Sequence, residues 1–133
     1  GISDVMMVGD KRKFNIALVT LKAVGANGEN PGTDDLDGGA KRLNPAVTTI
    51  SGAMDDPKWI EAVTSAITSA NNNGKCCPNN AFKIQKFTIL PHNFSEQNNE
   101  LTPTKKLKRK TVEEAYAALI EKMYSSEDVY VRY

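Results

Sequence analysis

The residues whose types and spacing could do chemistry lie in one basic segment, Lys105-Lys106-Leu107-Lys108-Arg109-Lys110. It follows Glu100-Leu101-Thr102-Pro103-Thr104, in which the proline restricts the backbone just upstream of the lysines. A lysine carries a compact charge on a flexible stem, so it suits a phosphate or carboxylate site that must later be vacated. Leu107 offers an apolar anchor while the neighbouring lysines point outward. The segment therefore predicts delivery of one positive charge to anionic reactants bound elsewhere.

Charge alone leaves other interpretations of this segment open. A run of like charges is often a solvated surface, and a binding patch for anionic lipid or nucleic acid is a further interpretation. No aromatic residues interleave with the lysines, and no second basic segment extends them, which disfavours nucleic acid as a partner. Seventeen basic against sixteen acidic residues leave a net charge of +1, so any electrostatic attraction must be local.

The strands that must position this segment follow from apolar runs. The chain of 133 residues is 40% hydrophobic and 25% charged, which is ordinary for one soluble globular domain. Short strands are predicted over Val5–Val8 and Lys86–Leu90. Phe14–Leu21 is apolar on both alternate faces, which predicts a central strand covered on each side.

Helices are predicted from capping residues and helical spacing. Asp56-Pro57 supplies an N-cap and a first-turn proline for a helix ending near Asn71, and a shorter helix is expected around Ala46 to Met54. Thr111 and Glu114 form a capping box for a second long helix. Residues 25–44 are predicted to be a long surface loop, and 126–133 a tail. The element order predicts an α+β domain, a small mixed sheet with helices packed on it.

Four segments resemble the C-terminal domain of long-chain fatty acid–CoA ligases, which are acyl-CoA synthetases of the adenylate-forming superfamily. They are Ile2–Phe14, Leu18–Lys22, Gln85–Pro91 and Glu100–Arg109. Residues 9–22 and the long stretch that precedes Asp56-Pro57 are most similar to the bubblegum-type branch. The resemblance implies that residues 1–133 form the single C-terminal subdomain of a two-domain enzyme. A start at Gly1 without Met is what a fragment would show.

The resemblance also implies an activity and its partners. The complete enzyme would use ATP and Mg²⁺ to activate a fatty acid to acyl-AMP, and would then transfer the acyl group to coenzyme A. These reactants would be bound mainly by the enzyme's own N-terminal adenylation domain, so the isolated chain is expected to be inactive. An adenylate-forming enzyme with another acceptor is an alternative.

The register of the resemblance implies roles for individual residues. Lys106 would be the mobile adenylation lysine, although Lys105 and Lys108 are competing assignments. Arg109 would support it. The three residues that would shape the loop are Thr102, Pro103 and Thr104.

Arg12 is a candidate contact for coenzyme A. It lies in the turn Asp10–Lys13, which in relatives approaches the phosphates of coenzyme A, and a guanidinium pairs bidentately with phosphate. A solvated turn with no binding role is the alternative.

Metal chemistry and secretion are both disfavoured by composition. The cysteines, Cys76 and Cys77, are adjacent and share the chain with one histidine, so no zinc site is predicted and both are expected to be reduced thiols. The longest apolar run, Ile16–Leu21, is far shorter than the roughly 20 residues that span a bilayer. The protein is expected to be cytoplasmic or peripheral on an intracellular membrane, and not secreted.

Overall fold

A three-stranded mixed sheet forms the centre of the fold. The computed structural model describes residues 1–73 and 83–133, and Cys76 and Cys77 lie outside these ranges. Strands β1 (Ile2–Val8), β2 (Asn15–Leu21) and β3 (Ile84–Ile89) lie in the order β1-β2-β3. β1 is antiparallel to β2, and β3 is parallel to it. With helices packed on this sheet, the predicted α+β class is confirmed.

Strand β2 is central because both of its faces are apolar. Ala17, Val19 and Leu21 face a first core cluster, which β3 extends with Phe87 and Ile89. The alternate β2 residues face a second core cluster on the other side of the sheet; they are Ile16 and Leu18. The prediction of a central strand covered on both sides is confirmed.

The first core cluster is closed by helix α3 (Pro57–Asn71), which buries Trp59 and Val63. The Asp56 carboxylate accepts a hydrogen bond from the Trp59 N–H at 3.1 Å, which confirms the predicted N-cap. The shorter helix expected near Met54 is α2 (Ile50–Ala53). Within residues 1–73 and 83–133, no helix combines the length and apolar character that crossing a bilayer requires.

Residues 25–44 differ from a wholly exposed loop. They contain helix α1 (Gly38–Lys41) and bury Leu36 and Ala40 in the first core cluster. The chain returns on itself because the Val24 N–H donates to the Asp35 carbonyl at 2.9 Å. Long-range main-chain pairing of this kind leaves no periodic signal in sequence.

The C-terminal helical region is two helices, α4 (Arg109–Ala115) and α5 (Ala117–Ser125), which bury apolar residues in the second core cluster. The predicted capping box of Thr111 and Glu114 is wrong. The N-cap is Lys108, whose side chain makes no capping hydrogen bond, and Thr111 lies inside α4. The Lys108 N–H is bonded to the Glu100 carbonyl at 2.8 Å, and the Lys108 carbonyl accepts the first helical hydrogen bond, from the Val112 N–H at 3.0 Å, so α4 starts before Thr111.

The tail after α5 extends the sheet beside β3. The Phe87 N–H donates to the Val129 carbonyl and the Val131 N–H donates to the Phe87 carbonyl, both at 2.9 Å. The rings of Phe87 and Tyr130 pack with centroids 5.1 Å apart. Arg132 adds a hydrogen-bonded ion pair with Asp55. The tail therefore contributes to the core rather than lying apart from it.

Candidate functional site

The basic segment lies on a short hairpin, Leu101–Leu107, here called the lysine hairpin. Leu101 and Leu107 pair as an antiparallel bridge at its base. The Thr102 N–H donates to the Lys106 carbonyl, and the Lys105 N–H donates to the Thr102 carbonyl, both at 2.8 Å. These bonds close a four-residue turn over 102–105. Pro103 suits the second position of such a turn because its φ is fixed and it has no N–H to satisfy.

Threonine hydroxyls reinforce the turn. The Thr102 hydroxyl oxygen accepts a hydrogen bond from the Lys106 N–H at 3.1 Å and lies 3.0 Å from the Thr104 hydroxyl. Both contacts are local, and neither hydroxyl is joined to a base that would activate it among the residues described. Thr102, Pro103 and Thr104 therefore all lie in the turn that precedes Lys106.

The lysine side chains of this region differ in their partners. Lys105 Nζ pairs with the Glu96 carboxylate, and Lys108 Nζ donates to Asn99 Oδ1. The Lys106 side chain is exposed and has no hydrogen-bond or ion-pair partner within residues 1–73 and 83–133. Of the three competing lysines, Lys106 is thus the one without a side-chain partner in the part of the chain that the structure describes.

Arg109 anchors the hairpin to the sheet. Its Nη1 donates to the Met7 carbonyl at 2.6 Å, which joins the first residue of α4 to strand β1. The contact uses the guanidinium within the fold.

A buried polar group lies at the foot of the hairpin. Glu100 is 4% exposed, and its Oε1 accepts a hydrogen bond from the Ser95 N–H at 3.2 Å. The Tyr116 hydroxyl lies 3.5 Å from both Glu100 Oε2 and His92 Nε2. Burial raises the pKa of Glu100, while the nearby His92 opposes that shift. Burial, with Glu100 beside it, also raises the pKa of Tyr116.

The meeting of Glu100, His92 and Tyr116 was not predicted from the sequence. His92 carries no spaced partner in sequence, and Tyr116 reads only as part of the apolar face of a helix. The one available signal is an acidic residue, Glu100, that lies two positions before the Thr-Pro-Thr turn. Because the partners of Glu100 come from separate segments, their meeting is a tertiary effect that spacing cannot predict.

Arg12 is engaged away from the lysine hairpin. It forms an ion pair with Glu121, and its guanidinium lies 4.7 Å from the centre of the Tyr124 ring. The hydrogen bond from Arg12 lowers the pKa of the Glu121 carboxyl. Arg12 therefore joins the turn between β1 and β2 to helix α5. Its partners lie on that helix and not on the lysine hairpin.

Across residues 1–73 and 83–133, no cluster of three or more His, Cys, Asp or Glu side chains is arranged to hold a metal ion.

Comparison with known proteins shows a family that the chain is similar to. The sequence profile of the AMP-binding enzyme C-terminal domain matches residues 39–128. Among curated proteins, long-chain-fatty-acid–CoA ligase ACSBG1 of Homo sapiens is 36% identical over 132 residues, which is 95% of this chain and 18% of that protein. Long-chain-fatty-acid–CoA ligase ACSBG2 of Gallus gallus is 37% identical over 131 residues, with 93% and 17% covered.

A bacterial relative shows the same partial match. Long-chain-fatty-acid–CoA ligase FadD15 of Mycobacterium tuberculosis is 33% identical over 126 residues, which is 95% of this chain and 19% of that protein. The chain therefore spans less than a fifth of the length of these curated relatives. No solved structure matches it significantly. The similarities confirm the resemblance that the four segments indicated.

Proposed function

The chain belongs to the AMP-binding enzyme C-terminal domain family, and from this premise we propose that it is the C-terminal domain of a long-chain fatty acid–CoA ligase. Its part in the reaction is to supply Lys106 to reactants held by an N-terminal adenylation domain. The observation that carries this proposal is the exposed Lys106 on a hairpin whose other lysine, Lys105, is already paired with Glu96.

The proposed chemistry has two steps. In the first, a carboxylate oxygen of the fatty acid forms a bond to the α-phosphorus of ATP, and the bond from that phosphorus to the pyrophosphate oxygen breaks. In the second, the thiol of coenzyme A gives up its proton to solvent and its sulfur bonds to the acyl carbon. The bond from that carbon to the phosphate oxygen breaks, and AMP leaves with the electron pair. The first step brings two anions together, so a lysine in a closed, partly dry site offsets their repulsion and orients them.

Lys106 suits the first step because its ammonium group has no hydrogen-bond or ion-pair partner in the described ranges, 1–73 and 83–133. The turn around it is closed by main-chain hydrogen bonds at 2.8 Å, so the backbone is ordered while the side chain extends into solvent. Once acyl-AMP has formed, withdrawal of the domain would remove the lysine and open a path for coenzyme A.

A patch for anionic lipid or nucleic acid is less well supported than the ligase assignment. Three of the basic residues at 105–110 make contacts inside the domain; they are Lys105, Lys108 and Arg109. Their charges are directed at Glu96, Asn99 and the Met7 carbonyl rather than gathered on one open surface. Of the two classes, delivery of a single lysine therefore fits the geometry better.

Other reactants are assigned mainly to the N-terminal domain. ATP, its Mg²⁺ and the fatty acid would bind there. Arg12 is proposed as a contact for the phosphates of coenzyme A, for which it would exchange its pairing with Glu121. Arg12→Ala should then raise the Michaelis constant for coenzyme A, and an unchanged constant would leave Arg12 a packing residue. The proposed setting is the cytoplasm or the surface of an intracellular membrane.

The test uses the complete protein that contains this chain. It should form acyl-CoA from a long-chain fatty acid, ATP and coenzyme A, while the isolated chain of 133 residues should not turn over ATP. ATP turnover by the isolated chain would contradict the division of the site between two domains. Salt-dependent binding to anionic vesicles by a complete protein without ligase activity would favour the lipid-binding alternative.

A further inference from the structure

Residues 25–32, here called the Gly28 loop, are bound to the segment that leads into the lysine hairpin. The tip of the loop is closed by Asn27 Oδ1, which accepts hydrogen bonds from the N–H groups of Glu29 and Asn30 at 3.1 and 2.7 Å. The Gly28 carbonyl then accepts from the Glu96 N–H at 2.8 Å, and the Glu29 carbonyl accepts from the Gln97 N–H at 3.0 Å. Two main-chain bonds therefore fix the loop to residues 96–97.

Lys105 contacts both parts of this arrangement. Its Nζ pairs with the carboxylate of Glu96, the residue whose N–H holds the loop. Its aliphatic stem passes over Gly28, where an added Cβ would lie 3.0 Å from Lys105 Cδ and 3.3 Å from Cε. Gly28 also has a φ of +84°, which favours glycine. The stem can therefore lie this close because position 28 has no side chain.

The backbone of Lys105 is also unusual. Its φ is +67°, in the left-handed region that non-glycine residues adopt uncommonly. A residue in this conformation is held there by its surroundings. Those surroundings are the turn bond to Thr102, the pairing with Glu96 and the contact with Gly28.

We propose that Lys105 is a positioning residue. Through Glu96 and the Gly28 loop it holds the hairpin in the form that presents Lys106 to the reactants. This inference rests on the proposed function, because it assigns Lys105 a part in orienting the adenylation lysine. Lys105 then acts through contacts inside the domain, whereas Lys106 acts on reactants outside it.

The ion pair is partly exposed, with side chains 46% and 29% accessible for Lys105 and Glu96. Such pairs contribute little to global stability. The effect of breaking it should therefore appear in the order of the hairpin and not in the unfolding midpoint. Global unfolding serves only to show that each variant is folded.

The first experiment measures amide hydrogen exchange by NMR on the chain of 133 residues. The probes are the N–H groups of Thr102 and Lys106, whose hydrogen bonds close the hairpin. Exchange should be about two- to fivefold faster in Lys105→Met and Glu96→Gln, as expected when an exposed ion pair is lost. Lys105→Arg should restore the rate. Lys110→Met, which removes a neighbouring charge without touching Glu96, should leave it unchanged.

The second experiment measures adenylate formation in the complete protein. Glu96→Gln breaks the ion pair but keeps the charge of Lys105. If Lys105 acts only by positioning the hairpin, Glu96→Gln and Lys105→Met should therefore have similar effects. Both should lower kcat a few-fold and leave the KM for ATP unchanged. Exchange rates at the wild-type value in both variants would overturn the inference. So would a loss of about a hundredfold in Lys105→Met with no loss in Glu96→Gln, since Lys105 would then contact the reactants itself.

Failure of the proposed function would look different. If Lys106→Ala left adenylation intact, the assignment of the catalytic lysine would fail, whatever the exchange measurement showed. The exchange result reports only whether Lys105 and Glu96 order the hairpin.

Discussion

Arg109 Nη1 lies 2.6 Å from the carbonyl oxygen of Met7, although 102 positions separate the two residues in the chain. The bond joins the start of helix α4 to strand β1, so the base of the lysine hairpin is fixed relative to the sheet. Arg109, the last basic residue of the Glu100–Arg109 segment, thus makes its contact within the domain. The Lys106 side chain is exposed and has no partner among residues 1–73 and 83–133.

Arg109→Gln should lower the free energy of unfolding by about 0.5–1.5 kcal/mol, because the shorter side chain loses the hydrogen bond to Met7. Urea unfolding followed by circular dichroism measures this change. Arg42→Gln, at an exposed arginine beside helix α1, is the matched control and should have almost no effect. A stability equal to that of wild type would show that the contact with Met7 does not stabilise the fold.

Lys106→Ala in the complete protein should slow formation of acyl-AMP by about a hundredfold, the usual effect of losing one electrostatic contact in a transition state. Thioester formation from supplied acyl-AMP should be unaffected, because the lysine is proposed to act before the acceptor arrives. Pyrophosphate exchange and single-turnover thioester formation measure the two steps separately. Equal loss in both would mean that Lys106 has only a structural role, and Lys110→Ala controls for local charge.

Elements with strong local signals were predictable from the sequence. The Asp56-Pro57 cap and the apolar spacing after it fixed α3, and the two apolar faces of Phe14–Leu21 placed β2 at the centre of the sheet. Where a local signal competed with tertiary bonds, prediction failed. Thr111 and Glu114 matched a capping box, but α4 starts at Arg109. Its N-cap is Lys108, whose N–H donates to the Glu100 carbonyl at the base of the hairpin.

The candidate site was predictable only in part. The Thr-Pro-Thr segment and the lysines that follow it are neighbours in the sequence, and the structure closes a turn over them. The pairing of Leu101 with Leu107, which makes the segment a hairpin, was not predicted. Lys105 differs from Lys106 in its contacts with Glu96 and Gly28, which come from other parts of the chain. Gly28 lies in a segment read as an ordinary surface loop, and its approach to Lys105 depends on main-chain bonds formed only in the fold.

Glu100→Gln should change how stability depends on pH. Burial raises the pKa of Glu100 above its ordinary value of 4.5, so the native chain holds this proton more tightly than the unfolded chain. The stability that this group contributes is fully present below pH 4.5 and is lost as pH rises through the native pKa. Glutamine does not titrate and still offers an oxygen to the Ser95 N–H. The free energy of unfolding of Glu100→Gln, relative to wild type, should therefore increase with pH.

Urea unfolding at a series of pH values from about 4 to 8 measures that difference across the titration of a buried carboxyl. Glu114→Gln, at an exposed glutamate of α4, should give a difference that varies little with pH. A flat difference for Glu100→Gln as well would mean that the carboxyl is solvated more fully than its 4% exposure indicates.

Tyr130→Phe tests whether the tail is part of the fold. The Tyr130 hydroxyl donates to the Met54 carbonyl at 2.7 Å, so the variant should lose about 0.5–1.5 kcal/mol of stability at neutral pH. Burial raises the pKa of Tyr130 to about 12 from 10.0, so the phenol favours the native state below pH 10 and loses that effect as pH rises toward 12. The advantage of wild type over Tyr130→Phe should therefore shrink over this range. Tyr133→Phe, at an exposed ring, is the control; equal stability of Tyr130→Phe and wild type at neutral pH would mean that the tail is not held through Met54.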